Sequence, residues 1–300
     1  MTTGAGMESF DTEIEIVGSK AFLSEQLELI ERLAATDAPV LITGETGVGK
    51  ELVARTIHTR SMRKAKPFMA VNSSALPGDC FSARGAALDL PAGGTLFLDD
   101  VGDLSETAQA GVLKLIQSQR AQPRHGGDMR VLAAANINMQ SAVDMGRFRS
   151  DLFFRLNEFS LHIKPLRERR EDIPLLADYF MARYSKQYGR GVTRISDAAL
   201  SFLKRYHFPG NVRELRNMIQ NAVLMNDRGV IWIEDLPLDI VTRTGGESGA
   251  EMLTLKQMEK RHIQSALDYT GWNVSRAARI LGITRATLYD KIRTYALAKP

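Results

Sequence analysis

Residues 39–52 read PVLITGETGVGKEL. A short apolar run, PVLIT at 39–43, breaks on Gly44 into a glycine-rich stretch that ends Gly49-Lys50 and continues as ELVARTIHTR, which has helical spacing. An apolar run of that length bounded by glycine reads as a buried strand, and a helix directly after it puts the glycines at a helix N-terminus. Gly44 to Lys50 fits the pattern G-x-x-x-x-G-K. In such a loop glycines let the backbone wrap closely, so that successive N–H groups point at a phosphate; the helix start adds its positive end, and the lysine reaches the outer phosphates. Gly44, Glu45, Thr46, Gly47, Val48, Gly49, Lys50 and Glu51 are therefore candidate phosphate-binding residues. A glycine turn with a chance lysine is the plainer alternative, and the flanking strand and helix weigh against it. Glu51 stands where such a loop usually carries a hydroxyl.

The run TLFLDD at 95–100 supplies a second half of the same kind of site. Its apolar residues read as a buried strand, and Asp99 emerges at the carboxyl end, where a carboxylate beside a phosphate loop can hold Mg²⁺. Asp100 is then placed to polarise an attacking water. An ordinary strand end capped by acids is the alternative for the run taken alone. Two such motifs in this order point to binding of ATP or GTP.

Further apolar runs, PFMAV (67–71), RVLAAAN (130–136) and FSLHI (159–163), alternate with amphipathic stretches such as SETAQAGVLKLIQS. In that stretch Ser105 is placed to cap a helix, with Ala108, Val112, Leu115 and Ile116 on one face. Strands alternating with helices predict an α/β fold, a parallel sheet flanked by helices. From Glu171 to about Asn226 the strands stop and helical patterns take over, which predicts a helical lid. VTRTGGESGAE, residues 241–251, is glycine-rich and has no periodicity, so it reads as a linker. The organisation expected is a tail at 1–14, an α/β subdomain at 15–165, a helical lid at 166–240, the linker, and a small all-α domain at 252–300.

Composition agrees with a globular chain: 300 residues with 44% apolar content are enough for sizeable cores. A single cysteine, Cys80, forms no internal disulfide. No basic start with an apolar core marks the first residues as a signal peptide, and no apolar run approaches the roughly 20 residues of a membrane span. A cytoplasmic protein without a membrane partner is expected. The net charge of +4 is uneven: residues 252–300 carry nine Lys or Arg against three Asp or Glu, leaving the rest slightly acidic. A basic tail fits a polyanion partner, although charged faces are often merely solvated.

With these residues in view, GETGVGKE, GGTLFLDD, GRFRSDLFFRLNEF, PLRERREDIPLLADYF and FPGNVRELRNMIQNAV resemble the AAA+ domain of bacterial sigma-54-dependent activators (enhancer-binding proteins). The terminal GWNVSRAARILGITRATLYDKIRTY is similar to their Fis-type helix-turn-helix. The likeness covers about Ile16 to Ala296, and in this family a phosphate loop ending Gly-Lys-Glu is the rule, which accounts for Glu51. The resemblance implies ATP with Mg²⁺ at Asp99, the arginine fingers Arg149 and Arg155 reaching a neighbouring subunit's γ-phosphate, Asn136 as first sensor and Arg213 as second. It also implies that Asn72 relays the state of the phosphate from the acidic pair. Fingers acting on a neighbour imply self-assembly in a hexameric AAA+ ring, with RNA polymerase holoenzyme as the larger partner. Without the family, these arginines read as surface helix residues.

The sequence also departs from that pattern. The interval NSSALPGDCFSARGAALDLPAGG, residues 72–94, is shorter than its family counterpart and contains no GAFTGA, the tip that touches sigma-54; SQRAQPRHGGDM at 118–129 is shortened too. A ring moves a partner only through an element whose contacts differ between nucleotide states, whereas loops tolerate deletion without loss of the fold. Asp100 replaces the usual glutamate and is one methylene shorter, and Ala135 replaces a threonine, so hydrolysis is expected to be slow or absent. Phe208 stands for a tryptophan and keeps an aromatic packing role.

In the tail, apolar positions 255, 258, 262 or 263, 266 and 267 form a helical stripe suited to a dimer with a second copy. NVSRAARIL and TRATLYDKIRTY follow as two short helices around Gly282. Leu288, Ile292 and Tyr295 point inward at helical spacing, which leaves Arg285, Thr287, Tyr289 and Arg293 outward to contact double-stranded DNA, Arg285 foremost. Asp290 sits where the family often has a basic residue. The sequence thus reads as an ATP-binding, DNA-binding transcriptional regulator in which nucleotide controls assembly and sigma-54 polymerase is not remodelled. An ATP-hydrolysing sigma-54-dependent activator is the alternative. Nothing before Ile16 resembles a receiver or ligand-sensing domain, so control is expected from a separate partner, expression level or a ligand on the AAA+ domain.

Overall fold

The apolar runs become five short strands: β1 (Val40–Thr43), β2 (Phe68–Asn72), β3 (Thr95–Asp99), β4 (Arg130–Ala135) and β5 (Phe159–His162). They form one all-parallel sheet in the order β2-β3-β4-β1-β5. The structure is a computed structural model; it describes residues 16–77, 93–121, 129–136, 138–236 and, in the C-terminal part, 259–260, 262–264, 266–267, 270, 272–295 and 297. It divides into two units, Met1–Val241 and Thr242–Pro300.

Continuous rather than alternating apolar sequence is what a sheet covered on both faces requires. Leu96, Leu98, Val131 and Ala133 pack to one side against Val112 and Ile116 of α3 (Glu106–Ala121) and Leu152 of α5 (Ser150–Leu156). Val40, Ile42, Phe97, Leu132 and Ala134 pack to the other, against Ile30 of α1 (Lys20–Ala34) and Val53 and Ile57 of α2 (Lys50–Thr59). Each fully buried Val, Leu, Ile or Phe among them contributes about 1.5–3 kcal/mol. Ser105 caps α3 as its position suggests, its hydroxyl accepting the Ala108 N–H at 3.3 Å. A short helix, α4 (Met139–Asp144), follows β4 and precedes α5.

The lid has its own core, built by α6 (Asp172–Tyr188), α7 (Asp197–Arg205) and α8 (Asn211–Met225) around Phe180, Leu203, Phe208, Leu215 and Ile219. It departs from the all-helical expectation in one detail: β6 (Arg194–Ile195) and β7 (Val230–Ile231) pair in parallel. Three of these four residues are β-branched, and a two-residue run is too short to show a period.

The C-terminal unit contains α9 (Val274–Ile280) and α10 (Arg285–Thr294), joined through Gly282 at φ 66°. Asn273 caps α9 and Thr284 caps α10, each accepting a backbone N–H at 3.1 Å. Their core is Ala277, Ala278 and Leu288 packed with Ile263 and Leu267 of the preceding helical residues. This corrects the reading of the apolar stripe: its C-terminal part, at 263 and 267, is spent on the unit's own core, and positions 255 and 258 lie outside the described residues. Helical spacing alone does not distinguish a face buried within one chain from a face buried between two. The linker at 241–251 lies outside the described residues as well.

Candidate nucleotide-binding and DNA-binding sites

Strand order explains which residues meet. β4 lies between β3 and β1, so the residue leaving β4 stands between the loop after β1 and the acids after β3. Gly44 leaves β1 with its N–H on the Ala135 carbonyl at 3.3 Å. Gly47 and Gly49 then adopt φ of 82° and 105°, a left-handed conformation that glycine enters at little cost. Lys50 opens α2 and is only 7% exposed. Its ammonium donates to the carbonyls of Gly44 (2.9 Å) and Glu45 (3.1 Å) and to the Asn136 side-chain oxygen. The Asn136 amide donates in turn to the Asp100 carboxylate. Three elements are thus joined through Lys50, Asn136 and Asp100.

The electrostatics suit an anion with a cation beside it. Burial pulls the Lys50 pKa down, opposed by Asp100 and Asp99 and reinforced by the nearby Arg213. Burial, and then the charge of Asp100, push the Asp99 carboxyl up. Among the described residues Lys50 hydrogen-bonds only neutral oxygens, which leaves its charge for a ligand, and two adjacent carboxylates at a strand end are the oxygen donors a hard divalent cation takes. Asp100 holds φ 53° and ψ 52°, a left-handed conformation that aspartate tolerates better than most residues. Asn72 is the register partner of Asp99 on the adjacent strand, but its side-chain oxygen accepts the Ser74 N–H (2.9 Å) and hydroxyl (2.6 Å). Glu51 faces outward and pairs with Arg55 at 2.7 Å.

Arg149 and Arg155 are arranged differently. Arg149 precedes α5 and pairs with Asp151 at 2.8 Å; Arg155 is exposed in the last turn of the same helix. Among the described residues neither is hydrogen-bonded to the loop, the acids or Asn136.

The lid meets the loop from outside, through Arg167, Asn211 and Arg169, whose roles no motif marks, and through Arg213. Arg167 places two guanidinium nitrogens 2.6 and 2.7 Å from the two Glu45 oxygens. Asn211, buried at the start of α8, donates to Glu45 at 3.1 Å and to the Thr46 carbonyl at 3.0 Å, and accepts the Leu166 N–H at 2.8 Å. Arg169 donates to the Val48 carbonyl at 3.1 Å, and the Arg213 N–H to the Gly47 carbonyl at 3.2 Å. Segment 16–19 bridges the two parts too: Ile16 packs on the sheet side, Val17 on the lid core, and the Ser19 N–H donates to Asp172 at 2.7 Å.

In the C-terminal unit Arg285, Thr287, Tyr289 and Arg293 are exposed along α10 while Leu288 is buried. The Thr287 hydroxyl is shared with that of Thr284 at 2.8 Å, so it is held by the cap. Lys291 turns to Glu259 at 2.6 Å, beside Tyr295, which bonds the same carboxylate.

Three family profiles match successive parts of the chain. The family profile described as "Sigma-54 interaction domain" matches residues 17–166, "AAA+ ATPase lid domain" matches 167–252, and "Bacterial regulatory protein, Fis family" matches 254–295. The transcriptional regulatory protein ZraR of Salmonella typhi is 39% identical over 97% of this chain and 71% of its own. The transcriptional regulatory protein XylR of Pseudomonas putida is 36% identical over 96% of this chain, which spans only 58% of that relative. Among solved structures, NtrX from Brucella abortus in complex with ATP aligns with a TM-score of 0.70 at 29% identity, over 94% of this chain and 70% of that one.

Proposed function

Since the chain belongs to the family of bacterial sigma-54-dependent transcriptional activators, we propose that it is a DNA-binding transcriptional regulator whose AAA+ domain binds ATP. The observation that carries this reading is the buried Lys50 ammonium, held by neutral oxygens beside two carboxylates in the crook of a glycine loop. In this reading the loop amides and Lys50 are the groups that would receive the phosphates, and Asn136 and, from the lid, Arg213 those that would sense the outermost one. Asp99 and Asp100 are the residues that would hold Mg²⁺, which when bound neutralises phosphate charge. Asp100 aligns a water, Asn72 beside Asp99 relays the occupancy of the site, and Arg149 and Arg155 serve a neighbouring copy's nucleotide. Arg285, with Tyr289 and Arg293, faces the DNA from α10, and Thr287 contributes through its methyl while its hydroxyl stays with the cap.

We further propose that nucleotide sets the assembly state rather than driving remodelling of sigma-54 polymerase, because the interval between Asn72 and Gly93 carries no GAFTGA. A second reading, a hydrolysing activator of sigma-54 polymerase, is favoured by the match of residues 17–166 to the sigma-54 interaction domain. Transcription in vitro from sigma-54 and housekeeping promoters, with ATP or a non-hydrolysable analogue, separates the two. The first reading expects no hydrolysis-dependent open complexes at the sigma-54 promoter, and their appearance establishes the second.

A further inference from the structure

A carboxylate within a loop that receives a polyanion raises an electrostatic difficulty. Glu45 lies one residue past Gly44, and a bare negative charge there repels the phosphates the loop is shaped to hold. The structure shows where that charge is directed. Both Glu45 oxygens face the guanidinium fork of Arg167, at 2.6 and 2.7 Å, the bidentate geometry that makes such pairs strong and directional. The Asn211 amide adds a third donor at 3.1 Å. Arg167 and Asn211 lie within the stretch that matches the AAA+ lid, so among the described residues the side chains that hold the loop's carboxylate all come from the lid side.

Two further features tighten this contact. Asn211 is fully buried, has φ 51°, and bonds Glu45, the Thr46 carbonyl and the Leu166 N–H together, so it has no free rotation. A Cβ on Gly47 would stand 2.2 Å from the Gly210 carbonyl oxygen, so loop and lid are in backbone contact with no slack between them.

We propose that Glu45, Arg167 and Asn211 form a latch of positioning residues: it neutralises the loop's own carboxylate, fixes the loop's curvature from outside, and makes loop occupancy and lid position depend on each other. The second and third parts rest on the loop being a nucleotide site. Two sites coupled through one contact influence each other reciprocally, so an intact latch lets phosphates order the lid and an ordered lid favour phosphates.

The test uses the full chain with Glu45→Gln, Arg167→Met and the double variant. ATP affinity is measured by calorimetry, backbone exchange of α6 and α8 by mass spectrometry with and without ATP, and thermal unfolding alongside. Arg167→Met leaves Glu45 bare and is expected to weaken ATP binding about tenfold. The double variant removes the repulsion and is expected to recover most of that loss, while all three variants show faster lid exchange than wild type and lose its slowing by ATP. A purely structural role predicts the opposite for the double variant, with losses that add. Additive losses, or wild-type affinity and lid protection in Arg167→Met, overturn the latch. If Arg167→Met does not fold, the near-isosteric Glu45→Gln decides: unchanged lid exchange in it overturns the proposal. Failure of the wild-type chain to bind ATP sinks the nucleotide reading, while lid exchange in the nucleotide-free variants still tests the latch.

Discussion

Lys50, Asn136 and Asp100 are joined across three elements in and around the sheet, whereas Arg149, just before α5, and Arg155, in its last turn, are exposed, the Arg149 guanidinium paired with Asp151 two residues away. On the proposed reading the difference is one of address. A group that acts on its own chain's ligand is pre-organised by buried neighbours, and one that acts on another copy's ligand stays in solvent until that copy arrives. Exposed Phe154, on the helix that Arg149 precedes and Arg155 ends, fits the second description. In this account the site has an inner half complete in one chain and an outer half that awaits a partner.

Breaking the inner half should have the largest effect. Lys50→Ala is expected to lower ATP affinity by at least about a hundredfold, since it removes a charge-assisted contact from a water-poor site. Calorimetry checks it, and affinity near wild type would remove Lys50 from the site.

Gly47→Ala should follow. Its Cβ meets the Gly210 carbonyl oxygen at 2.2 Å, and φ of 82° disfavours any side chain. Loop and lid must separate, at a cost of about 2–4 kcal/mol in stability with weakened ATP binding. An unchanged denaturant midpoint would show that the lid does not press on the loop.

The outer half should respond in a different measurement. Arg149→Ala and Arg155→Ala are expected to keep ATP affinity within about twofold, since neither touches the inner half, yet to abolish ATP-dependent self-association, each removing about 1–2 kcal/mol at every contact between copies. Loss of ATP affinity in the single chain would merge the two halves and end the comparison.

The smallest effect concerns pH. Arg167, and then Asn211, hold the Glu45 carboxyl at about 2 against an ordinary 4.5. Because the folded value is the lower one, the stabilisation is complete above pH 4.5 and is lost as pH falls from there towards 2. Glu45 is substantially exposed, so solvent screens the pair and the difference is modest. The gap in stability between wild type and Glu45→Gln should therefore narrow over that range in acid titrations, and a constant gap would exclude the ionised pair as its cause.

Much of this was legible in the sequence because continuous apolar runs ending in glycine or acid have few other readings. The β3 run at 95–99 matches the structure residue for residue, and the other four strands agree within one residue at each end. The glycine loop, Lys50 and the acidic pair were readable for the same local reason. The contacts of the lid were not. Glu45 meets Arg167 across 122 positions and Asn211 across 166, and no periodicity reports on contacts returned over such distances. Asn211 is also buried and polar, a state its neighbours in FPGNVREL do not announce. The apolar stripe of the tail was visible, but whether Ile263 and Leu267 serve their own core or a second copy was decided only by the fold of the unit.

Sedimentation velocity of the full chain, without nucleotide and with ATP, tests the division into halves most directly when wild type, Lys50→Ala and Arg155→Ala are run side by side. The account predicts that ATP shifts wild type to a larger assembly and leaves both variants unshifted, although Arg155→Ala still binds ATP. An assembly state indifferent to ATP in the wild-type chain, or an ATP-driven shift that persists in Arg155→Ala, would contradict it.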